Sequence, residues 1–309
     1  MQLLIPFASA HSQAAIHVLR ELDLPNLNRL LHALRPMHRD AQDETSLSPP
    51  HERALAGAWG WPLTDGQLPF AAHAAAQDGF DTAAGAWGLL TPAHWLAGRD
   101  HVTMTDPDAL ELEEGESRAL FEALRPLFES EGFRVEWGAP LRWYAAHPCL
   151  DGLPCASLDR VIGRGIDTWL PKTDQGRLLR RLQSETQLTL YTHAINEARE
   201  ARGALSINSF WLSGCGLRLP VKETSITRVD ELRAPLLAGD WAAWAHAWSE
   251  LDAGRIATLG QAIEDEQSVS LTLCGERSAQ RFEATPRTLW QRLSARWQGQ
   301  AAKTVLEAL

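Results

Sequence analysis

Residues 157–216 read SLDRVIGRGIDTWLPKTDQGRLLRRLQSETQLTLYTHAINEAREARGALSINSFWLSGCG: a loop with glycines and a proline, a helical stretch, a short turn, an apolar run and a Gly-Cys-Gly close. Thr173 or Asp174 supplies a helix cap and Gly203 a stop, so cap logic predicts one helix between them. Leu179, Leu182, Thr186, Leu190, Ala194, Ala198 and Ala201 recur at helical spacing, which predicts an apolar stripe turned to a core. His193, Asn196 and Arg199 follow one another at i, i+3 and form a polar ribbon along one flank, able to converge on a ligand. Ala204 to Ser213 carries Leu205, Ile207, Phe210, Trp211 and Leu212, the composition of a largely buried strand in an α/β sheet. Gly214-Cys215-Gly216 follows where open α/β sheets hold their ligands, and glycines there let backbone N–H groups approach an anion. The same glycines also suit an ordinary tight turn.

The phrases IGRGIDTWLP and THAINEAREARGALSINSFWLSGCG resemble the C-terminal signature of the archaeal-type cofactor-independent phosphoglycerate mutases, members of the alkaline phosphatase superfamily. His193, Asn196, Arg199, Gly203, Asn208, Trp211, Gly214 and Gly216 fall on that family's His-Pro-x-Asn, Arg, Gly, Asn and Trp-Leu-Trp-Gly-x-Gly, with Ala194 in place of Pro and Ser213 in place of Trp. LLIPFASA and LPNLNRLL near the start resemble the superfamily's first strand and its Thr-Pro-Asn-Leu-Asp-x-Leu element. The resemblance implies an alkaline-phosphatase-like α/β fold, a mixed or parallel sheet flanked by helices. Residues 1–98 and 148–309 would form the core domain and 99–147 a small α+β insert subdomain. It also implies that His193, Asn196, Arg199, Asn208, Gly214 and Gly216 bind a small anionic, phosphorylated ligand. Arg160 and Arg164, in the loop before the helix, add two guanidinium groups suited to bidentate anion contact, though isolated arginines equally suit a solvated surface.

The departures from the family bear on the reaction. Where the first strand of the superfamily ends in a metal-binding Asp, this chain has Pro6-Phe7, and Leu158 stands where a Pro-His-Asp-Ile-x-Gly element carries its His. After Gly216 the only histidine is His246. A two-metal phosphoryl-transfer site needs acidic ligands to hold two cations about 4 Å apart. No metal and no other cofactor is therefore expected, and no catalytic residue is assigned. The expectation is a catalytically reduced, mutase-like protein, leaning away from enzymatic activity, with a regulatory role exercised on a small anion or a protein partner. The whole chain also resembles the uncharacterised proteobacterial RpfE-type regulatory proteins, a resemblance that implies almost nothing about mechanism. The alternative is an active metal-dependent phosphoglycerate mutase or phosphatase whose ligands have moved to His11, Asp151 or Asp159. A third reading is an interaction module that binds a partner through tryptophan-rich surfaces.

Composition narrows the field. A chain of 309 residues, 45% of them hydrophobic, is long enough to bury a large core and to hold an insertion or a second domain. A net charge of −10 and a pI near 5.6 argue against a nucleic-acid surface. MQLLIPFASA has no basic lead and too few apolar residues for a signal or a membrane span, so a cytoplasmic protein with no membrane contact is expected. Cys149, Cys155, Cys215 and Cys274 form no CxxC pair, which signals neither a zinc site nor a disulfide framework; Cys215 is the one to test as a reactive thiol.

Elsewhere, Leu3 to Phe7 suits a central strand, and helices are predicted over Ser9 to Leu22 and from Pro25. Arg39 to Pro50 reads as a surface loop and residues 51–98 as short helices and turns around Trp59, Trp61, Trp87 and Trp95. His101 to Thr105, Glu113 to Ser130, Phe133 to Trp137 and Leu141 to Ala146 read as strand, helix, strand, strand, with the acidic run ELEEGE a solvated helix start. Asp240 caps a helix with Trp241, Trp244, Trp248 and Leu251 on one face, and Val269 to Cys274 alternates as a strand. Pro286 opens a last helix with Leu289, Trp290, Leu293 and Trp297.

Overall fold

A computed structural model describes residues 1–284 and 302–309; the helix expected from Pro286, with Leu289, Trp290, Leu293 and Trp297, lies outside them. The chain begins β1 (Gln2–Ile5), α1 (Gln13–Glu21), α2 (Pro25–Ala33), β2 (Arg35–Ala41), α3 (Pro50–Trp59) and α4 (Phe70–Gln77). It continues with β3 (Trp87–Ala93), β4 (Trp95–Ala97), β5 (Val102–Met104), α5 (Glu114–Ser130), β6 (Arg134–Ala139) and β7 (Arg142–Ala146). Then come α6 (Leu158–Val161), α7 (Gln175–Tyr191), α8 (Ala194–Ala201), β8 (Ser209–Gly216) and β9 (Ile226–Arg228). It ends with α9 (Arg233–Ala238), α10 (Trp241–Leu251), α11 (Ala257–Glu264), β10 (Ser270–Cys274), β11 (Ser278–Glu283) and α12 (Ala302–Glu307).

These elements divide into two compact units, 1–45 with 49–59 and 222–309, and 46–48 with 60–221. The first holds a mixed five-stranded sheet in the order β2-β11-β10-β1-β9, with β1 parallel to both β10 and β9. β1 is internal because its alternate side chains are apolar on both faces. Leu3 and Ile5 join the cluster of α1, α2, α10, α11 and α12, and Leu4 packs with Cys274, Ala279 and Ala54 of α3 on the other side. The expected α/β architecture, a mixed sheet flanked by helices, is thus present in this unit. Asp240 caps α10 through Ala243 N, and Trp244, Trp248 and Leu251 are buried as the spacing predicted. One expectation fails here. Part of the stretch from Arg39 to Pro50 is not loop, because Arg35 to Ala41 pairs antiparallel with β11 despite its exposed, polar text.

The second unit is built on an antiparallel sheet, β6-β7-β3-β8. Leu120, Leu124 and Phe128 of α5 and Leu179, Leu182 and Leu190 of α7 cover one face; Ala71, Ala72 and Ala75 of α4 pack with Trp87 and Tyr144 on the other. Two expectations are corrected by this sheet. The run leading to Gly214-Cys215-Gly216 is a strand of this antiparallel sheet, not of an open parallel one. β7 hydrogen-bonds to β3, and both lie in the second unit. Trp87 to Ala93, expected among short helices and turns, supplies that partner strand.

The single helix predicted between Asp174 and Gly203 is two. α7 ends at Tyr191, His193 adopts an extended backbone (φ −76°, ψ 131°), and its ring nitrogen accepts a hydrogen bond from Ile195 N to cap α8. The break reorients α8. Ala194, Ala198 and Ala201, expected on the buried stripe, are exposed, while Asn196 and Arg199 turn inward.

Candidate functional site

The ribbon of α8 points into the protein, where its polar atoms meet backbone. Asn196 Nδ2 donates to Leu190 O (2.9 Å) and Ile207 O (2.7 Å), and its Oδ1 accepts from Ile207 N (2.8 Å). Arg199, with no exposed surface, donates from Nε to Leu205 O (2.8 Å) and from its two terminal nitrogens to Leu110 O and to Glu116. Asn208 works in the same way, accepting from Trp95 N (2.7 Å) and donating to Trp95 O (2.9 Å), while the His94 ring meets Ser206 O at 2.7 Å. Together these side chains tie down residues 204–208, the irregular connection from α8 to β8. Buried polar groups carry their full desolvation cost unless partnered, and here the partners are in place.

Gly214 and Gly216 lie at the far end of β8. At about 3.3 Å per residue the six positions from Asn208 to Gly214 span about 20 Å, so the two halves of the predicted site are not one pocket. Their glycines answer to packing. Gly214 has φ 63° and a Cβ built there would stand 2.9 Å from Ala71 N; Gly216, at φ 143°, would place one 3.1 Å from Pro69 Cβ. Ala71 N stands too close to Gly214 for a side chain there, and a side chain at Gly216 would need Pro69 to give by a few tenths of an ångström.

Arg160 and Arg164 separate as well. Arg160 is 2% exposed and donates to Ser46 Oγ at 2.6 Å, a buried group instead of the surface or anion-facing arginine expected. Arg164 is half-exposed, in the loop that bridges to β5 through Met104↔Ile162 and Thr103↔Gly165. His193 is half-exposed at its helix cap. His11 lies exposed in the first unit, and Asp151 (exposed) and Asp159 (half-exposed) in the second. Among the described residues no three His, Cys, Asp or Glu side chains are grouped to hold a metal ion.

Glu116 is the residue that sequence reasoning placed wrongly. It belongs to the ELEEGE run read as solvated, yet it is 9% exposed, between Arg199 and Arg202, whose Nη1 lies 2.8 Å from Oε1. Burial alone would raise its carboxyl; the hydrogen bond from Arg202 and the charge of Arg199 outweigh it and hold the group below the usual glutamate range. The Glu113-to-Glu116 capping box at the start of α5 was the available signal, since it fixes Glu116 against its own helix. Cys215, expected as the thiol to test, is buried beside Cys155, and burial pushes it well above the ordinary thiol range.

No family model and no curated protein matches the chain. Solved structures similar to it include the cofactor-independent phosphoglycerate mutase of Thermoplasma acidophilum, at 14% identity and a TM-score of 0.36, covering 100% of this chain and 98% of that one. The PH0037 protein from Pyrococcus horikoshii is similar at 13% identity and a TM-score of 0.49, covering 92% of this chain and 87% of that one. Likeness at this level carries no argument about the site. No helix among the described residues is long and apolar enough to cross a membrane.

Proposed function

We propose that the chain is a phosphoglycerate-mutase-like protein of the RpfE-type regulatory kind, with a reduced phosphoryl-transfer site, which acts by binding a small phosphorylated anion or a protein partner. The observation that carries this reading is the carboxyl end of β1. The sequence resemblance puts a metal-binding aspartate there, and this chain continues with Pro6 and Phe7. Phe7 is buried at φ 56°, its ring 5.1 Å from that of His51 and its carbonyl accepting from Trp244 Nε1 at 3.1 Å. A hydrocarbon ring in that position offers no oxygen or nitrogen to a divalent cation. Among the described residues the donors do not fit a two-metal site.

With Asn196, Arg199 and Asn208 holding the connection to β8 and Gly214 packed against Ala71, binding falls to the half-exposed side chains of His193 and Arg164. The test is to assay purified protein on 3-phosphoglycerate and an aryl phosphate with manganese or cobalt added, and to follow thermal stability with small phosphorylated compounds. No turnover with any metal, together with ligand-dependent stabilisation that His193→Ala or Arg164→Ala weakens, is the expected result. Metal-dependent turnover abolished by a chelator would overturn the reading and favour relocated ligands at His11, Asp151 or Asp159.

A further inference from the structure

We infer that Cys155 and Cys215 are a modification site, a thiol pair that closes to a reversible disulfide when the protein meets hydrogen peroxide. The two cysteines are free, 60 residues apart in sequence, and their sulfurs stand 3.4 Å from each other in the interior of the second unit. Each is held there by its surroundings. Cys155 sits in the loop before α6, where its backbone N donates to Gly66 O at 2.9 Å. Cys215 lies on β8 facing Gly88 of β3, where a Cβ would come within 3.1 Å of its sulfur; the missing side chain makes room for the thiol. A bond of about 2.05 Å needs the sulfurs to approach further by only a little over 1 Å.

The chemistry balances with peroxide alone. Cys155 sulfur attacks one peroxide oxygen, the O–O bond breaks, and the departing hydroxide takes the thiol proton to leave as water and a sulfenic acid. Cys215 sulfur then attacks Cys155 sulfur, the S–O bond breaks, and hydroxide leaves with the Cys215 proton as a second water. Two thiols are oxidised and one peroxide is reduced. Cys155, in a loop, reacts first and Cys215, on the strand, resolves; each attacks as its thiolate, the proton passing to the departing hydroxide. Cys149, half-buried and near enough for Cys155 to raise its thiol further, is the competing site. This inference is independent of the functional reading above.

The experiment uses the full natural chain. After peroxide treatment, remaining thiols are alkylated in denaturant and the protein is digested without reductant for mass analysis. The expected product joins the peptides of Cys155 and Cys215, is two hydrogens lighter than their sum and separates with dithiothreitol. Both cysteines should lose alkylation to the same extent, and the melting temperature should rise by roughly 5 °C. Cys149→Ser should leave the product unchanged. Recovery of both cysteines fully alkylated, oxidation to sulfinic acid at single positions, or a dominant link to Cys149 would each overturn the inference.

Discussion

α10 and α8 are helices of the two units that solve the same problem with opposite chemistry. α10 buries an apolar stripe of Trp244, Trp248 and Leu251, and α8 buries Asn196 and Arg199. The first gains stability in proportion to apolar area removed from water, with little demand on angle. The second depends on every buried donor and acceptor finding a partner, because a half-satisfied polar interior is worse than an apolar one. The contrast shows why a polar stripe at helical spacing is a poor guide to a ligand. It marks a site only if it faces outward, and which way α8 faces is decided by the break at His193.

The sharpest way to break the contrast is Arg199→Leu. It strands the carbonyls of Leu110 and Leu205 and leaves the Glu116 carboxylate with Arg202 as its one remaining guanidinium, and removing one partner of a buried ion pair costs about 3 kcal/mol. Hydrogen exchange should report the loss in α5 and α8 while α10 keeps its protection. A variant with unchanged exchange but lost ligand binding would make Arg199 a binding residue after all. Acid probes the same tie. Because the folded carboxyl of Glu116 lies below its ordinary value of 4.5, its contribution is complete above that value and is lost as pH falls through the lower, folded one. α8 amides should therefore lose protection at a higher pH than those of α10, and loss in the reverse order would count against the ion pair.

How much of this was legible in the sequence follows the same division. The spacing of Trp241, Trp244, Trp248 and Leu251, the Asp240 cap and the apolar run of β1 were readable because burial of hydrocarbon leaves a period. β2 was not: RPMHRDA has no alternation, and its strand exists because β11 supplies the ladder partner. Nor could the direction of Asn196 and Arg199 be read. Their partners are mainly carbonyls and N–H groups of residues 110, 190, 205 and 207, and backbone groups have no letter in a sequence.

Gly214 is a smaller test of the same point, since its reading as an anion-binding turn and its observed role in packing predict different responses. Gly214→Ala adds a Cβ 2.9 Å from Ala71 N at a positive φ and should cost about 2–3 kcal/mol in the second unit. Gly239→Ala has nearly the same φ with nothing within 4 Å of the new methyl, and should cost about 1 kcal/mol. Chemical denaturation followed by exchange in each unit separates the two. Equal costs would mean that backbone strain alone explains Gly214 and that the approach of α4 contributes nothing.

A second matched pair lies inside α10, where the apolar rule can be set against a single hydrogen bond. Trp244 and Trp248 are both fully buried, yet Trp244 Nε1 donates to Phe7 O at 3.1 Å, whereas Trp248 Nε1 has no hydrogen-bond partner among the described residues. Replacing either by Phe removes a similar volume and should cost about 1 kcal/mol for packing. Trp248→Phe also removes an unpaired N–H whose burial is itself unfavourable, so its net effect should be near neutral. Trp244→Phe leaves the Phe7 carbonyl without its donor at a residue already held at φ 56°, adding about 1–2 kcal/mol. Denaturant midpoints for the two variants should thus differ although the helix, depth and substitution are the same. If they coincide, burial alone governs α10, and the contrast with α8 becomes one of apolar against polar packing with no hydrogen bond shared between them.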